Sequence, residues 1–319
     1  MDNIKKYIWD IVFIVLPLDK YLELRYKRVF KSKLNLYRPQ KFTEKLYWLK
    51  AYYGQYMGDK ISYLYDKYDV REYVKKTVGE EYLPQLYGIY NNVSEININE
   101  LPDKFVAKIT QSCGKNIIVN GTIDLDFAKL IKQLDEWQKE TFNKAAISGH
   151  KEESYFNNGK AKILFEEYLD AGNNNSPEDI RIYCFNGKAK FISVDYDSVT
   201  EKGEKKKSYL RNIFSLNGDF LEFKFGRDND YTKTELNIGN LDKLIEVAEA
   251  LAEPFPFVRV DMYELNNSIK FGELTWIPMG GNCFITPKEI DNKLGNILKL
   301  PSVDIDYKLL KRKLIRREL

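Results

Sequence analysis

Residues 255–281 of the chain read FPFVRVDMYELNNSIKFGELTWIPMGG. A largely apolar run at residues 257–260 ends at Asp261, and a second apolar run at residues 269–271 leads to Glu273. A polar Asn-Asn pair separates the two runs, and this pattern predicts two strands joined by a tight turn. If the strands pair as a hairpin, Asp261 and Glu273 lie near each other.

Both carboxylates have apolar neighbours, so an unpaired charge there would be costly to bury. We therefore expect a cation between Asp261 and Glu273. Mg2+ takes oxygen ligands, commonly one or two carboxylates completed by water and substrate phosphates, so the hairpin could hold a metal-bound nucleotide. Alternatively, Arg259, Lys270 or another basic side chain pairs with them across a solvated sheet face, and the hairpin alone leaves both interpretations open.

Composition excludes several classes of function. The 319 residues are 44% hydrophobic, enough for a sizeable core in one large domain or two to three closely packed domains. With 50 basic and 47 acidic residues the net charge is only +3, so no global field favours nucleic acid. His150 is the only histidine, which excludes paired-histidine catalysis and disfavours zinc. Three widely spaced cysteines, Cys113, Cys184 and Cys283, are typical of reduced thiols in a cytosolic protein.

The two ends of the chain are basic and amphipathic. Residues 7–18, YIWDIVFIVLPL, are too short and too charged to predict a membrane span, and they lack an evident cleavage site. A packed helix is our prediction there, with an interfacial helix as the alternative. Residues 308–319, KLLKRKLIRREL, predict a solvated surface helix. We expect a cytoplasmic protein, with peripheral contact to an anionic inner membrane surface as an alternative.

The first half of the chain begins with helical patterns. Residues 1–60 predict a helical opening segment, and residues 59–76 an amphipathic helix that carries Lys67 and Arg71 on one face. Taken alone, this basic pair is better interpreted as part of a solvated helix face. A strand is predicted at residues 82–90.

A second strand, predicted at residues 104–110, contains Lys108 and leads into a polar turn, QSCGKN. A strand lysine next to such a turn suits phosphate binding, although an ordinary hairpin turn explains the same pattern. A structural anion, such as Asp103 or a glutamate of the next strand, is the alternative partner for a buried Lys108.

The second half continues with a helix at residues 125–137, a polar loop at 145–159 and a strand at 161–169. A hairpin around Asn186-Gly187 is predicted at residues 180–195, and helices at 241–251 and 287–298. Hairpins without regular strand–helix alternation predict an α+β fold. No G-x-G-x-x-G follows a strand, so dinucleotide binding is not expected.

Six segments in this order resemble the ATP-grasp superfamily and, within it, the TupA-like group associated with teichuronopeptide and other surface-polysaccharide biosynthesis. They are KFTEKLYWLK, DKYDVREYV, LPDKFVAKITQSCGKNIIV, AKILFEEYL, IRIYCFNGKAKFI and the stretch quoted at the outset. The resemblance extends over most of the chain from about residue 24 to residue 300. The resemblance implies an ATP-grasp fold in which two α+β subdomains clasp ATP, after a helical N-terminal segment. The implied parts are a helical segment at 1–60, a lid subdomain at 61–160, a metal-binding subdomain at 161–300 and a basic tail at 301–319.

The resemblance also implies a role for individual residues, with ATP and Mg2+ as cofactors. Lys108 and Arg259 would be the catalytic cations. The ATP-binding residues would be Lys67, Arg71, Lys108, the loop residues Ser112, Cys113 and Gly114, and the adenine and ribose contacts Glu166, Glu167, Tyr168 and Leu169. The metal ligands would be Asp261, Glu273 and Thr275.

Two positions depart from the family pattern. Superfamily members commonly carry Glu-x-Asn at the second metal position, whereas this chain has Glu273-Leu274-Thr275. Thr275 is a neutral, weaker ligand, so Asn282 or water would complete the shell. The phosphate loop reads QSCG where the TupA-like pattern is closer to His-Gly-Ser-Gly.

The function implied by the resemblance is ATP-dependent carboxylate–amine ligation through an acyl phosphate. Its partners would be ATP, a saccharide acceptor that carries a carboxylate, such as a uronic acid, and an amine donor, with no nucleic acid. Three alternatives remain open: a glycosyltransferase of the same pathway, a kinase-like phosphotransferase and a catalytically weak nucleotide-binding module. The sequence contains no sugar-nucleotide motif of the Rossmann type that would support the glycosyltransferase.

Overall fold

The computed structural model describes residues 9, 12, 15–53, 63–123, 125–147, 161–172, 177–198, 200, 206–265 and 268–302, with the side chains of residues 142–147 excepted. Within these ranges the helices are α1 (Leu18–Phe30), α2 (Phe42–Trp48), α3 (Val70–Thr77), α4 (Phe127–Ile147), α5 (Leu241–Ala252) and α6 (Lys288–Ile297). The strands are β1 (Leu86–Tyr90), β2 (Lys104–Ile109), β3 (Asn116–Asn120), β4 (Ile163–Glu167), β5 (Asp179–Phe185), β6 (Lys188–Tyr196), β7 (Leu210–Phe214), β8 (Lys224–Phe225), β9 (Phe257–Leu265), β10 (Ser268–Thr275) and β11 (Ile285–Thr286).

A large antiparallel sheet with the strand order β10-β9-β5-β6-β7 forms the centre of the fold. One face is apolar, and its Ile182, Val258 and Val260 are fully buried. Helix α5 covers this face with Leu244 and Leu251, which belong to the same core. Because side chains alternate along a strand, the intervening residues of β5 and β9 lie on the opposite face.

The opposite face of the large sheet is aromatic at one end and charged at the other. Phe185 and Phe257 are direct partners across β5 and β9, and the ring of Phe42 in α2 lies 5.1–5.4 Å from both. Further along the same strands, Arg181 stands opposite Asp261. The helical opening segment therefore closes the aromatic end, and the charged end carries the candidate site.

A smaller antiparallel sheet has the order β1-β4-β2-β3 and its own core. Phe105, Ala107 and Phe165 are fully buried and pack with Leu130 and Leu134 of α4.

The change from one sheet to the other does not coincide with the boundary expected at residue 160. Strand β4 pairs with β1 and β2, so it belongs to the small sheet. The chain passes from the small sheet to the large one between residues 167 and 179. Strand β4 therefore pairs within the small sheet, whereas the expected boundary separates it from β1 and β2.

The other predicted elements are found with shifted ends. The hairpin at residues 180–195 is confirmed as β5 and β6, with left-handed φ angles of 50° and 76° at Asn186 and Gly187. The helix expected at residues 59–76 is wrong in its start: α3 begins at Val70, because the Asp66 carboxylate accepts the backbone N–H groups of Tyr68 and Asp69 and favours a turn there.

Some predictions fall largely outside the described residues. Of residues 7–18, Trp9, Val12 and Leu16 are partly buried and pack against the large core. Residues 308–319, most of the polar loop at 145–159 and the Asn266-Asn267 turn are not described. Among the described helices, none combines the length and the apolar character that crossing a bilayer requires.

The opening segment is held against α6 by a close helix crossing. Asp291 in α6 accepts hydrogen bonds from Thr43 N and Oγ1, at 2.9 and 2.8 Å. Lys45 Nζ donates to the carbonyl oxygens of Gly295 and Leu298, both at 2.6 Å. A Cβ atom at Gly295 would lie only 1.9 Å from the carbonyl oxygen of Gln40, so the crossing requires glycine at this position.

We expect Gly295→Ala to destabilise the protein, although alanine is the better helix former. The helix preference favours alanine by about 1 kcal/mol, whereas the clash with backbone costs on the order of 1–3 kcal/mol or more. Asn296→Ala, at an exposed position of the same helix, is the control. Urea unfolding of both variants measures the difference, and a Gly295→Ala protein at least as stable as wild type would contradict the packing argument.

Candidate active site

The hairpin brings Asp261 and Glu273 together on neighbouring strands. The two residues are direct partners in the β9–β10 pairing, and a register shift next to Gly272 aligns them. A Cβ atom at Gly272 would lie 3.0 Å from the carbonyl oxygen of Asp261, so a larger residue would press on the backbone of β9. The two carboxylates are therefore as close as the hairpin pattern predicts.

Arg259 lies between the two carboxylates and contacts both. Its guanidinium donates two hydrogen bonds to Asp261 through Nε and Nη2, and Nη2 lies 3.1 Å from Glu273 Oε1. The Asp261 side chain is 7% exposed and that of Glu273 is 45% exposed, so the pair has one buried and one accessible carboxylate. The alternative in which Arg259 neutralises this pair is thus seen in the structure, and Arg259 is the cation expected there.

Thr275 and Asn282 flank the carboxylates in different ways. Thr275 Oγ1 donates a hydrogen bond to Glu273 Oε1 at 3.2 Å, which places its oxygen beside the accessible carboxylate. Asn282 Oδ1 instead accepts a hydrogen bond from the Tyr47 hydroxyl at 2.8 Å. Thr275 is therefore brought to the pair, whereas the Asn282 oxygen already has a partner in the opening segment.

The neighbouring strands extend the charged face. Arg181 Nε lies 3.5 Å from Asp261 Oδ2, while its Nη2 lies 2.9 Å from Asp179 and its Nη1 donates to Asp195. Asp195 also accepts from Arg211 Nε at 2.5 Å and from Arg211 Nη2 at 2.9 Å. A chain of ion pairs thus crosses β9, β5, β6 and β7, and we call Arg181, Asp195 and Arg211 the arginine–aspartate cluster.

Burial and charge act in opposite directions on these groups. Burial raises the pKa of Asp261 to about 6, against the lowering influence of Arg259 and Arg181, so the carboxyl group is ionised at neutral pH. Burial tends to raise the pKa of Asp195 as well, but the hydrogen bond from Arg211 and the charge of Arg181 outweigh it and the pKa is lowered. Both carboxylates are therefore negative under physiological conditions.

Lys108 lies on the face of the small sheet that points away from α4. It donates to Glu166 on the adjacent strand β4, and Arg71 Nη1 lies 3.6 Å from the other oxygen of Glu166. Arg71 Nη2 also donates to the carbonyl oxygen of Pro84 at 2.7 Å. A glutamate of the next strand is therefore a partner of Lys108, and Glu166 lies between two cations.

Lys67 and the polar turn lie near Lys108, Arg71 and Glu166, and together these residues form a second cluster, at the small sheet. Lys67 N donates to Thr110 O at 3.1 Å, and Lys67 Nζ donates to Ser112 O. Cys113 is exposed, and Gly114 has a left-handed φ of 70° in open space, where an added Cβ atom would meet no atom of the described chain within 4 Å. The structure thus brings Lys67, the turn, Arg71 and Lys108 to the same end of the small sheet.

The segment after β4 contributes the remaining predicted contacts. Glu167 Oε2 accepts the backbone N–H of Gln85 at 3.0 Å, and Glu167 N donates to Gln85 O at 2.9 Å, so Glu167 is engaged by the chain that enters β1. Tyr168 is buried and Leu169 is partly buried. These two residues begin the connection between the sheets.

The sequence patterns do not single out the arginine–aspartate cluster. Arg181 and Asp195 lie within the predicted hairpin, and alternation along its strands could have placed both on one face. Arg211 belongs to a strand outside the predicted elements, and only the strand order brings it opposite Asp195. In the described part of the chain no group of three or more His, Cys, Asp or Glu residues is arranged to hold a metal ion. The candidate metal site therefore rests on two carboxylates.

Comparison with solved structures finds ATP-grasp ligases. D-alanine–D-alanine ligase from Bacillus anthracis complexed with ATP is 13% identical, with a TM-score of 0.44, over 73% of this chain and 65% of that chain. The ATP-grasp ligase PsnB complexed with minimal precursor, Mg and ADP is 12% identical, with a TM-score of 0.38, over 69% and 53%. A RiPP-associated ATP-grasp ligase from Chryseobacterium gregarium, in complex with ADP and a leader and core peptide, is 12% identical, with a TM-score of 0.38, over 75% and 61%. The chain thus spans less than two thirds of the length of each.

No curated protein matches the sequence. The family model described as TupA-like ATPgrasp matches residues 44–299, which is well over half of the chain and includes both clusters. The matched residues include all the strands of both sheets. The chain belongs to the TupA-like ATP-grasp family, and its fold is the α+β ATP-grasp fold.

Proposed function

We propose that this protein is an ATP-dependent carboxylate–amine ligase that attaches an amino acid or amine to a uronic-acid carboxylate during the synthesis of a capsular or other surface polysaccharide. The observation that carries the ligase proposal is the contact of Arg259 with both Asp261 and Glu273 on one sheet face. Family membership supports the use of ATP and Mg2+. The saccharide acceptor is proposed from the resemblance to the TupA-like group.

The residues present fit a magnesium ion. Asp261 and Glu273 offer carboxylate oxygens on adjacent strands, and the hydroxyl of Thr275 lies beside Glu273. Hard oxygen ligands of this type are those that Mg2+ prefers, with water and phosphate oxygens in the remaining positions. In our proposal these three residues hold the metal, which supplies charge neutralisation for the phosphate groups of ATP.

The cations of the small sheet fit the phosphate groups of ATP. Arg71 and Lys108 both contact the one carboxylate of Glu166, and Lys67 donates to the carbonyl oxygen of Ser112 in the turn, so these contacts involve three cations and one carboxylate. Side-chain cations and the backbone N–H groups of a turn can bind the same anion. We propose that the turn containing Ser112, Cys113 and Gly114 closes over these phosphates.

The adenosine of ATP is proposed to lie against the connection between the sheets. Glu166, Glu167, Tyr168 and Leu169 form the end of β4 and the segment that follows it. The aromatic and apolar side chains of this segment, with polar groups beside them, suit an adenine base. Ligand pockets are mainly apolar, with a small number of hydrogen-bonding groups. In this arrangement ATP lies between a lid subdomain and a metal-binding subdomain.

The proposed chemistry proceeds in two displacements. A carboxylate oxygen of the acceptor attacks the γ-phosphorus of ATP, the bond to the bridging oxygen breaks, and ADP leaves with the electron pair. The amine nitrogen then attacks the carbonyl carbon of the acyl phosphate, gives up a proton, and expels inorganic phosphate. Lys108 and Arg259 stabilise the negative charge on the transferred phosphoryl oxygens, and no nucleophilic side chain is required.

Product analysis tests this function directly. The purified protein is incubated with ATP, Mg2+, uronic-acid acceptors and amino acids. A ligase releases ADP and phosphate in step with a new amide. A kinase-like protein yields ADP and a phosphorylated product, a glycosyltransferase requires a nucleotide sugar, and a nucleotide-binding module binds ATP without turnover.

Peripheral membrane contact by the basic ends stays a separate prediction, checked by co-sedimentation with anionic liposomes at low and high salt.

Glu273→Gln should abolish ATP turnover in a folded protein. The amide keeps the size of the side chain but removes one of the two charges of the metal site, and loss of several kcal/mol of charge stabilisation lowers the rate by on the order of 100-fold or more. ADP release and the melting temperature are measured together. Glu246→Gln, an exposed carboxylate on α5, is the control. Near-normal turnover by folded Glu273→Gln would remove Glu273 from the site.

Lys108→Met should weaken nucleotide binding with little loss of stability. Glu166 keeps Arg71 as a partner, so the substitution does not leave a buried carboxylate without a cation. Loss of a charged hydrogen bond to phosphate should reduce affinity for a non-hydrolysable ATP analogue with Mg2+ by roughly 10- to 100-fold.

The control for Lys108→Met is Lys104→Met, on the same strand, where Lys104 Nζ lies 3.3 Å from Asp170. Calorimetric titration and melting temperatures are compared for the two variants. A Lys108→Met protein that melts earlier but binds the analogue as tightly as wild type would assign Lys108 a structural role.

A further inference from the structure

Asp195 lies at the centre of the arginine–aspartate cluster, two strands away from Asp261 and three strands away from Glu273. Its side chain is completely buried, and those of Arg181 and Arg211 are 4% and 3% exposed. Both arginines direct donors at Asp195, which is thus the carboxylate that the two guanidinium groups share. Neither arginine can lose its charge by deprotonation, and neither can turn its guanidinium to solvent.

Arg181 connects Asp195 to Asp261. Of its three guanidinium nitrogens, Nη1 contacts Asp195 and Nη2 contacts Asp179. The third, Nε, has no hydrogen-bond partner among the described residues, although Asp261 Oδ2 lies 3.5 Å away. The guanidinium is thus held just short of a hydrogen bond to Asp261. If Asp195 did not occupy Nη1, Asp261 would be the adjacent carboxylate towards which Arg181 could turn.

The net charge of this sheet face also depends on Asp195. Three arginines, Arg181, Arg211 and Arg259, lie among the four carboxylates Asp179, Asp195, Asp261 and Glu273, so the set carries one net negative charge. Removing the charge of Asp195 would make the set neutral and leave two buried guanidinium groups without their shared partner. Both effects oppose the binding of a divalent cation at Asp261 and Glu273.

We propose that Asp195 is a positioning residue for the metal site, which retains Arg181 and Arg211 and so leaves Asp261 available to bind the metal. The proposal rests on the metal site proposed above. When residues that contact the metal ligands, but not the metal itself, are altered, the metal affinity commonly changes by about 10- to 100-fold. Asp195 acts through Arg181 and does not touch the metal.

The test measures Mn2+ affinity by the electron paramagnetic resonance signal of free Mn2+, at a saturating concentration of a non-hydrolysable ATP analogue. Asp195→Asn keeps the shape of the side chain and removes its charge, and we expect the Kd for Mn2+ to rise at least about 10-fold. Arg211→Gln removes a positive charge instead, and we expect an unchanged or lower Kd. The double variant Asp195→Asn/Arg211→Gln restores the net charge but still lacks the partner of Arg181, so we expect a Kd above that of wild type and below that of Asp195→Asn.

The pattern across these variants separates positioning from simple structural support. A structural role predicts weaker Mn2+ binding for all three proteins, with the double variant the weakest, and that result would overturn the proposal. An unchanged Kd in Asp195→Asn would overturn it as well. If Asp195→Asn does not fold, the comparison of Arg211→Gln with the double variant decides: a wild-type or lower Kd in Arg211→Gln with a higher Kd in the double variant supports the proposal, and equal Kd values in the two, or weaker binding in Arg211→Gln, oppose it.

A fourth variant distinguishes failure of this inference from failure of the metal site itself. Glu273→Gln should raise the Kd for Mn2+ under the same conditions. If it does and Asp195→Asn has no effect, Asp195 has no positioning role but the metal site stands. If Glu273→Gln leaves the Kd unchanged, the metal site and the role of Asp195 are both wrong. Melting temperatures of all variants confirm that each comparison is made between folded proteins.

Discussion

The charge of buried arginines is the constraint on which the large sheet depends. Arg181, Arg211 and Arg259 remain protonated at any ordinary pH, and each is almost fully enclosed. A buried charge is tolerated only with a partner of opposite sign and good hydrogen bonds. The register provides these partners, because Arg181 lies opposite Asp261 and Arg211 lies opposite Asp195. A slip of one residue in either pairing would turn these side chains towards the apolar core, so ionic pairing and apolar packing specify the same register.

Apolar packing fixes the other end of the same face. Phe42 of the opening segment packs on Phe185 and Phe257, and Asp291 and Lys45 tie that segment to α6. The helical opening segment is thus part of the core and supports the strands that carry the charged residues. Tyr47 of the same segment also holds Asn282, just beyond the carboxylate hairpin. The order of the site therefore depends on residues far from it in sequence.

The parts of the structure that are predictable from the sequence are those with local causes. Alternation of apolar residues and an Asn-Gly turn indicate the hairpin at Asn186-Gly187, and the same reasoning brings Asp261 and Glu273 together. The start of α3 is not predictable in this way, because Asp66 competes for backbone N–H groups and residue periodicity does not reveal that competition. The membership of β4 in the small sheet depends on pairing with β1 and β2, which are distant in sequence.

The same distinction applies to the candidate site. A lysine in an apolar strand indicates that an anion is needed, but whether Glu166 or a phosphate supplies it depends on which strand lies alongside. The role of Arg211 follows only from the order of four strands, so no local pattern could have indicated it. The family resemblance supplied the roles of individual residues, and the structure supplied their partners.

Ion pairs within the protein, at the Asp261–Glu273 hairpin and around Lys108, affect how a ligand would bind. Arg259 bonds to both carboxylates, and Lys108 bonds to Glu166, so a metal ion or a phosphate gains only the difference between its own contacts and those it replaces. The replacement need not leave a charge unpaired. In the proposed site, a metal ion at Asp261 and Glu273 would free Arg259 to pair with a phosphate, and a phosphate at Lys108 would leave Glu166 with Arg71. In the proposed site, each of these two groups of residues thus carries both the charge for a ligand and the counter-charge that keeps that charge stable when buried.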